Sequence, residues 1–207
     1  MTLGQDDQRK TLNVSRETLE RLECFEALVQ KWNPRINLVS RNSLKDLWSR
    51  HVFDSIQVYR LRPRSTPWVD LGSGGGFPGL IVAILAAEDD PDADITLIES
   101  DQRKCAFLRN AIRETGVSCA VIPQRIEAVE PQNANTLSAR ALTNLSGLLE
   151  FAERHLSTGG MALFPKGVSW QKEVAEAQRS WCFEYEPIAS ATEAGSVILK
   201  VKGISRV

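Results

Sequence analysis

Asp70-Leu71-Gly72-Ser73-Gly74-Gly75-Gly76-Phe77-Pro78-Gly79 is the stretch that sets the fold class of this chain. An apolar segment, Trp68–Leu71, leads into it, and Leu80-Ile81-Val82-Ala83-Ile84-Leu85 follows it. A short strand, a glycine-rich turn and a helix are therefore expected in that order. Glycine permits sharp reversal of the backbone and close approach of a ligand, so the turn reads as a binding loop at the edge of a parallel sheet.

The pattern continues on the C-terminal side. Strands are expected at Trp68–Leu71, Ile95–Glu99, Cys119–Pro123, Leu137–Ala141 and Met161–Phe164, with helices near Pro78–Ala87, Arg103–Thr115, Leu145–His155 and Ser169–Ser180. Two late strands follow at Phe183–Ile188 and Val197–Val201. Alternation of this kind implies a doubly wound α/β sheet with helices on both faces. On the N-terminal side the pattern is helical. Leu22, Phe25, Val29 and Trp32 share one helix face that Ser15 can cap and Asn33-Pro34 should end. A second helix is expected from Leu44 to Leu61, carrying Leu47, Trp48, Val52, Ile56 and Tyr59, before a break at Arg62-Pro63-Arg64. The chain thus divides into a helical extension, residues 1–64, and an α/β core, residues 65–207, within one compact unit.

Composition sets further limits. With 207 residues, 43% hydrophobic and 25% charged, the chain can bury a sizeable core. Nothing approaches the ~18 uninterrupted apolar residues of a membrane span, and the polar N-terminus lacks the apolar centre of a signal peptide, so a cytoplasmic location is expected. Cys24, Cys105, Cys119 and Cys182 show neither CxxC spacing nor adjacent histidines; they read as reduced core or near-core residues, and no metal is expected. The net charge of −1 hides a local excess: eight Lys or Arg stand against two Asp between Lys31 and Arg64. Such a patch suits nucleic acid, although a solvated helix surface would look the same.

The ligand of the loop can be narrowed from its chemistry. Gly74-x-Gly76-x-x-Gly79 satisfies the dinucleotide fingerprint formally, but Asp70 ends the strand and Gly72 precedes the fingerprint. A carboxylate there repels a pyrophosphate and favours a ligand bearing ammonium and sulfonium charges. Asp-x-Gly-x-Gly-x-Gly therefore favours S-adenosylmethionine over a nicotinamide dinucleotide. Glu99, ending the second strand, is placed to accept the ribose hydroxyls, and Gln124-Arg125-Ile126-Glu127, after the third strand, to hold the adenine. Phe77 can cap the apolar side of the cofactor. Arg140, after the fourth strand, stands where a guanidinium can hold a carboxylate, a phosphate or the O6 edge of guanine.

With these residues in view, the chain resembles the RsmG (GidB) family of bacterial small-subunit ribosomal RNA methyltransferases. The likeness covers Lys31-Trp32-Asn33 with Ile36-Asn37-Leu38, Arg50-His51 with Asp54-Ser55, the Asp70–Gly79 loop, Ser138-Ala139-Arg140-Ala141 and Lys166-Gly167. It implies a Rossmann-like class I S-adenosylmethionine-dependent methyltransferase sheet with an N-terminal helical extension. It also implies methyl transfer to N7 of one guanine in the decoding region of 16S rRNA. Cofactor contacts are implied at Gly72, Phe77, Ile126, Glu127 and Arg140; with Asp70, Gly74, Gly76 and Glu99 these form the expected cofactor site. Arg140 leads the candidates for substrate positioning, and Arg50, His51 and Lys166 are candidates for RNA contact, His51 reading otherwise as a structural histidine satisfied within its helix. Glu99 departs from the Asp common in relatives, and Glu88-Asp89-Asp90-Pro91-Asp92 looks like an acidic insertion. A monomer acting on 16S rRNA or the 30S subunit is the expectation. Methylation of a small molecule or protein, and a non-catalytic RNA-binding module that keeps a nucleotide pocket, are the alternatives.

Overall fold

The computed structural model describes residues 12–62 and 66–207. Pro63 and Arg64, where the helical extension was expected to break, lie outside the described residues. The helical part comprises α1 (Arg16–Ile36), α2 (Arg41–Lys45), a π-helical turn (Trp48–Val52) and α3 (Phe53–Arg60). The remainder alternates: β1 (Trp68–Leu71), α4 (Gly79–Asp89), β2 (Ile95–Ile98), α5 (Gln102–Thr115), β3 (Ala120–Ile122), a 3-10 turn (Ile126–Ala128) and β4 (Ala134–Ala139). It closes with α6 (Leu145–His155), β5 (Leu156–Lys166), α7 (Trp170–Ala177), β6 (Trp181–Ala189) and β7 (Val197–Arg206).

Ser15 does cap α1, its hydroxyl accepting the Thr18 amide at 3.1 Å. Contrary to expectation, Asn33-Pro34 does not end the helix. Pro34 falls in the last turn, where it forfeits one amide bond, and the helix stops only when Asn37 turns left-handed (φ 49°). Buried Asn33 instead braces the exit, its side-chain oxygen accepting the Val39 amide at 2.8 Å. The second helix, expected as one piece, is broken into α2, the π turn and α3, while Leu47, Trp48, Val52, Ile56 and Tyr59 are all buried as their spacing implied. A π turn widens the backbone and frees a carbonyl, and this one presents Arg50 O toward the sheet.

The sheet runs β3-β2-β1-β4-β5-β7-β6, parallel except for β7, which is antiparallel to both β5 and β6. Strand residues alternate between two apolar layers. Trp68, Leu97 and Leu163 join the layer built by α1, α3, α4 and α5; Val69, Leu71, Leu137 and Phe164 join the one built with α6 and α7. The helical extension shares the first layer, Phe25 packing on Phe107 of α5 and Tyr59 stacking on Trp68 of β1.

Two details correct the sequence reading. Cys182 is exposed, since the edge strand β6 turns Trp181 inward and its neighbour outward. Arg62 leaves the basic patch: its guanidinium, 7% exposed, lies 3.2 Å from Asp89 and 3.6 Å from Asp90, so the acidic insertion neutralises it. No helix among the described residues is long and apolar enough to cross a membrane.

Candidate active site

The chain order reverses between β1 and β4: it steps outward through β2 and β3 and then returns to the other side of β1. In open α/β sheets the crevice beyond the carboxyl ends of such strands is where ligands bind. Register assembles it here. Leu71 pairs with Ile98 on one side and Ala139 on the other, so Gly72, Glu99 and Arg140 leave adjacent strands side by side.

Together with Ile126 and Glu127 of the 3-10 turn, these three residues line a cavity of about 260 Å³. Glu99, 7% exposed, is fixed by two backbone donors, the Gly74 amide at 2.9 Å and the Asp101 amide at 2.8 Å, one to each oxygen. Each oxygen keeps a second lone pair for a ligand hydroxyl. Gly72 (φ 63°) passes under Leu142; a Cβ there would come within 2.7 Å of Leu142 Cδ1.

The rest of the loop supports this cavity from behind. Asp70 is 1% exposed, and its Oδ1 accepts from Ser138 Oγ at 2.6 Å, which in turn accepts from Trp68 Nε1 at 2.9 Å. Its other oxygen has no hydrogen-bond partner among the described residues and faces Gly79. The structure thus places Asp70 beneath the loop, tying β1 to β4, and not in the cavity wall. Gly74 gives its amide to Glu99, and Gly76 lies against Phe25 and Leu80. Phe77 also faces inward, its ring 5.2 Å from Phe25 and 5.1 Å from His51.

Burial pushes the Asp70 carboxyl up from 3.8 to about 6, against the lowering effect of the polar groups of Ser138, Ser73 and Gly79 that face it. The folded chain therefore holds this proton more tightly than the unfolded chain. The resulting stabilisation is complete below about pH 3.8 and is lost as the pH rises through about 6. Asp70→Asn cannot titrate and keeps the acceptor for Ser138. Its stability relative to the parent should grow by about 2–3 kcal/mol between about pH 4 and pH 8, as read by urea unfolding at both values. A difference that stays constant with pH would show that Asp70 is not the buried acid.

A second cavity, about 390 Å³, adjoins the first and shares Arg140, Ala141 and Leu142 with it. Its walls include Asp54, Lys166, Glu173, Ser190 and Ser196. Arg140 stands between the two. Its Nη2 donates to Arg50 O at 2.8 Å and lies 3.5 Å from Asp54, while buried Nη1 has no partner among the described residues. Burial lowers its pKa and the Asp54 charge raises it.

The candidates for RNA contact separate. Arg50 is 47% exposed, with Glu193 3.7 Å away at the cavity mouth. The ammonium of Lys166, only 8% exposed, is taken up by Glu173 at 2.7 Å and Thr143 O at 3.2 Å, so it is a wall of the second cavity and not a free cation. His51 is half-buried, with its ring turned inward. Both its ring nitrogens are buried without hydrogen-bond partners among the described residues, so the ring is not satisfied as expected. Burial, then the charges of Arg140 and Arg50, lower its pKa to about 3, leaving it neutral at physiological pH.

Sequence reasoning missed Ala141, Leu142 and the 190–196 loop as cavity walls. Asp54 had been noted in a motif without a role. Ala141 adopts φ 51°, which no sequence signal announces.

A sheet of this order with a glycine loop, a buried carboxylate at the end of β2 and an adjoining second chamber defines an S-adenosylmethionine-dependent methyltransferase of the Rossmann-like class I type. The fold is similar to that of a methyltransferase from Geobacter sulfurreducens, with TM-score 0.59, 12% identity and 95% of each chain covered. It is also similar to P. horikoshii TYW2 solved in complex with MeSAdo, with TM-score 0.54, 14% identity, and 75% of this chain and 62% of that chain covered. The chain belongs to the GidB family, rRNA small subunit methyltransferase G, whose model matches residues 18–197. It is 62% identical to the ribosomal RNA small subunit methyltransferase G of Ruegeria pomeroyi over 95% of this chain and 97% of that one. It is 47% identical to the protein of the same name from Rhodospirillum centenum, over 96% and 90% of the two chains.

The first cavity fits the cofactor. Its lining carries groups such a cofactor needs: Glu99 oxygens able to accept from hydroxyls, the apolar side chain of Ile126 and the backbone of Gly72. Among the described residues no group of His, Cys, Asp and Glu could hold a metal ion.

Proposed function

We propose that this enzyme methylates N7 of a guanine in the decoding region of 16S rRNA, as free RNA or within the 30S subunit, acting as a cytoplasmic monomer. The observation that supports this most is the pair of cavities meeting at Arg140: one suits the cofactor, and the other has hydrogen-bonding walls suited to a planar base.

When bound, S-adenosylmethionine supplies a methyl whose bond to sulfur breaks as its bond to guanine N7 forms, so positive charge passes to the base and no proton moves. The protein's work is then positioning. N7 carries a free lone pair at neutral pH, and holding it in line makes the step effectively unimolecular, worth up to ~7–11 kcal/mol. Glu99 and the Gly72 backbone fix one partner; Arg140 and the second cavity fix the other. Residues 1–64 serve as the RNA-facing extension of the core formed by residues 65–207. Exposed cations of its basic patch, Lys31, Arg35, Arg41, Lys45, Arg50 and Arg60 among them, would meet phosphates, which set register and salt sensitivity without choosing sequence.

The test is transfer of label from radioactive S-adenosylmethionine to 30S subunits lacking the modification, mapped by cleavage at 7-methylguanosine. Label at a single guanine supports the reading. Cofactor binding with no label on any ribosomal precursor overturns the RNA assignment and leaves the methyltransferase class standing.

A further inference from the structure

Asp54 joins three elements that lie far apart in sequence. Its Oδ2 is 3.5 Å from Arg140 Nη2, and its Oδ1 accepts from Ser190 Oγ at 3.1 Å and from the Thr192 hydroxyl. One turn further along α3, Gln57 donates to Ala189 O at 2.7 Å and accepts the Ala191 amide at 3.1 Å. The loop between β6 and β7 is thereby clamped to α3 as the outer wall of the second cavity. Arg140 Nη2 is held by both the Asp54 carboxylate and the carbonyl that the π turn presents, while its buried Nη1 has no hydrogen-bond partner among the described residues.

We propose that Asp54 is a positioning residue for methyl transfer, acting through Arg140 to hold the guanidinium, which lines both cavities, toward the O6 of the guanine in the second. This rests on the rRNA guanine reading above. O6 lies beside N7 and accepts a hydrogen bond, whereas adenine presents an amino group at the same place, so a fixed N–H there accepts guanine and opposes adenine. Asp54 also balances the guanidinium charge. An uncompensated cation beside the two cavities would oppose both the sulfonium cofactor and the cation formed on the base.

The test is a double-mutant cycle of parent, Asp54→Asn, Arg140→Ala and the double variant, measured by kcat on 30S subunits and by calorimetric Kd for S-adenosylmethionine. Asparagine keeps an acceptor for Ser190 and Thr192 but removes the charge facing Arg140. Asp54→Asn should lower kcat by about tenfold or more and weaken cofactor binding severalfold, with Tm moved by no more than about 3 °C. Added to Arg140→Ala, the same change should alter either quantity by less than about threefold, because the group it positions is gone. Equal losses in both backgrounds, or no loss in the first, would overturn the proposal and leave Asp54 a structural clamp. Should the parent label no ribosomal RNA, the guanine reading falls by itself, and the cofactor-affinity cycle still decides whether Asp54 acts through Arg140.

Discussion

Gly79→Ala is expected to weaken S-adenosylmethionine binding by at least about tenfold and to cost about 3 kcal/mol of stability, the larger end of what overpacking a core does. The added methyl would lie 2.5 Å from Leu97 Cδ2, 2.6 Å from Asp70 Oδ2 and 2.7 Å from Asp70 Cβ. Neither neighbour can yield. Leu97 is fully buried on β2, and Asp70 is tethered through Ser138 to Trp68. Relief must come from lifting the N-terminus of α4 off β1, which shifts Gly72 and the Gly74 amide that orients Glu99. Thermal melts and calorimetric titration with the cofactor read both effects. Gly167→Ala is the control for stability, since nothing lies within 4 Å of a Cβ at that position. If Gly79→Ala melts like the control and binds cofactor with unchanged affinity, the loop is not held by this contact.

Arg140→Ala is expected to lower kcat/KM for ribosomal substrate by about 100-fold, the range found when a preorganised donor at a reacting centre is removed. The guanidinium is the charged group that the two cavities share: its Nη2 is bonded to Arg50 O, while its buried Nη1 has no partner among the described residues. Lysine should not rescue it. A single ammonium cannot hold the Arg50 carbonyl, face Asp54 and still present a planar donor. Folding should suffer little, because Asp54 keeps the hydroxyls of Ser190 and Thr192. Steady-state kinetics with the alanine and lysine variants decide the point. Activity within about threefold of the parent would remove Arg140 from the transfer step.

Much of this site was legible because its elements are local. The glycine run identifies the binding loop from ten consecutive residues, and the strands after it appear as short apolar runs between helical periods. Glu99 could be found because it ends one of those strands. Asp70 was legible as a residue of the site but not in its task. A carboxylate read as facing a charged ligand is instead buried under the loop, since its partner Ser138 lies 68 residues away and only strand pairing brings the two together. The Lys166 ammonium looked available until α7 brought Glu173 against it.

The order of elements, the glycine loop, the carboxylate that follows β2 and the family to which the chain belongs could all be read from the sequence. Each is written in residues close together, where hydrophobic period and the backbone freedom of glycine act over a few bonds. Tertiary structure alone decided which polar groups remain free and which are consumed. It buried Asp70 and Lys166 against partners, packed neutral His51 against Phe77 and set Arg140 between two cavities with its Nη1 buried and unpartnered among the described residues. It also fastened the 190–196 loop to Asp54, more than 130 residues earlier in the chain. Hydrogen bonds and burial depend on distance in space, and across such separations only the packing of α3 and the β6–β7 loop fixes that distance.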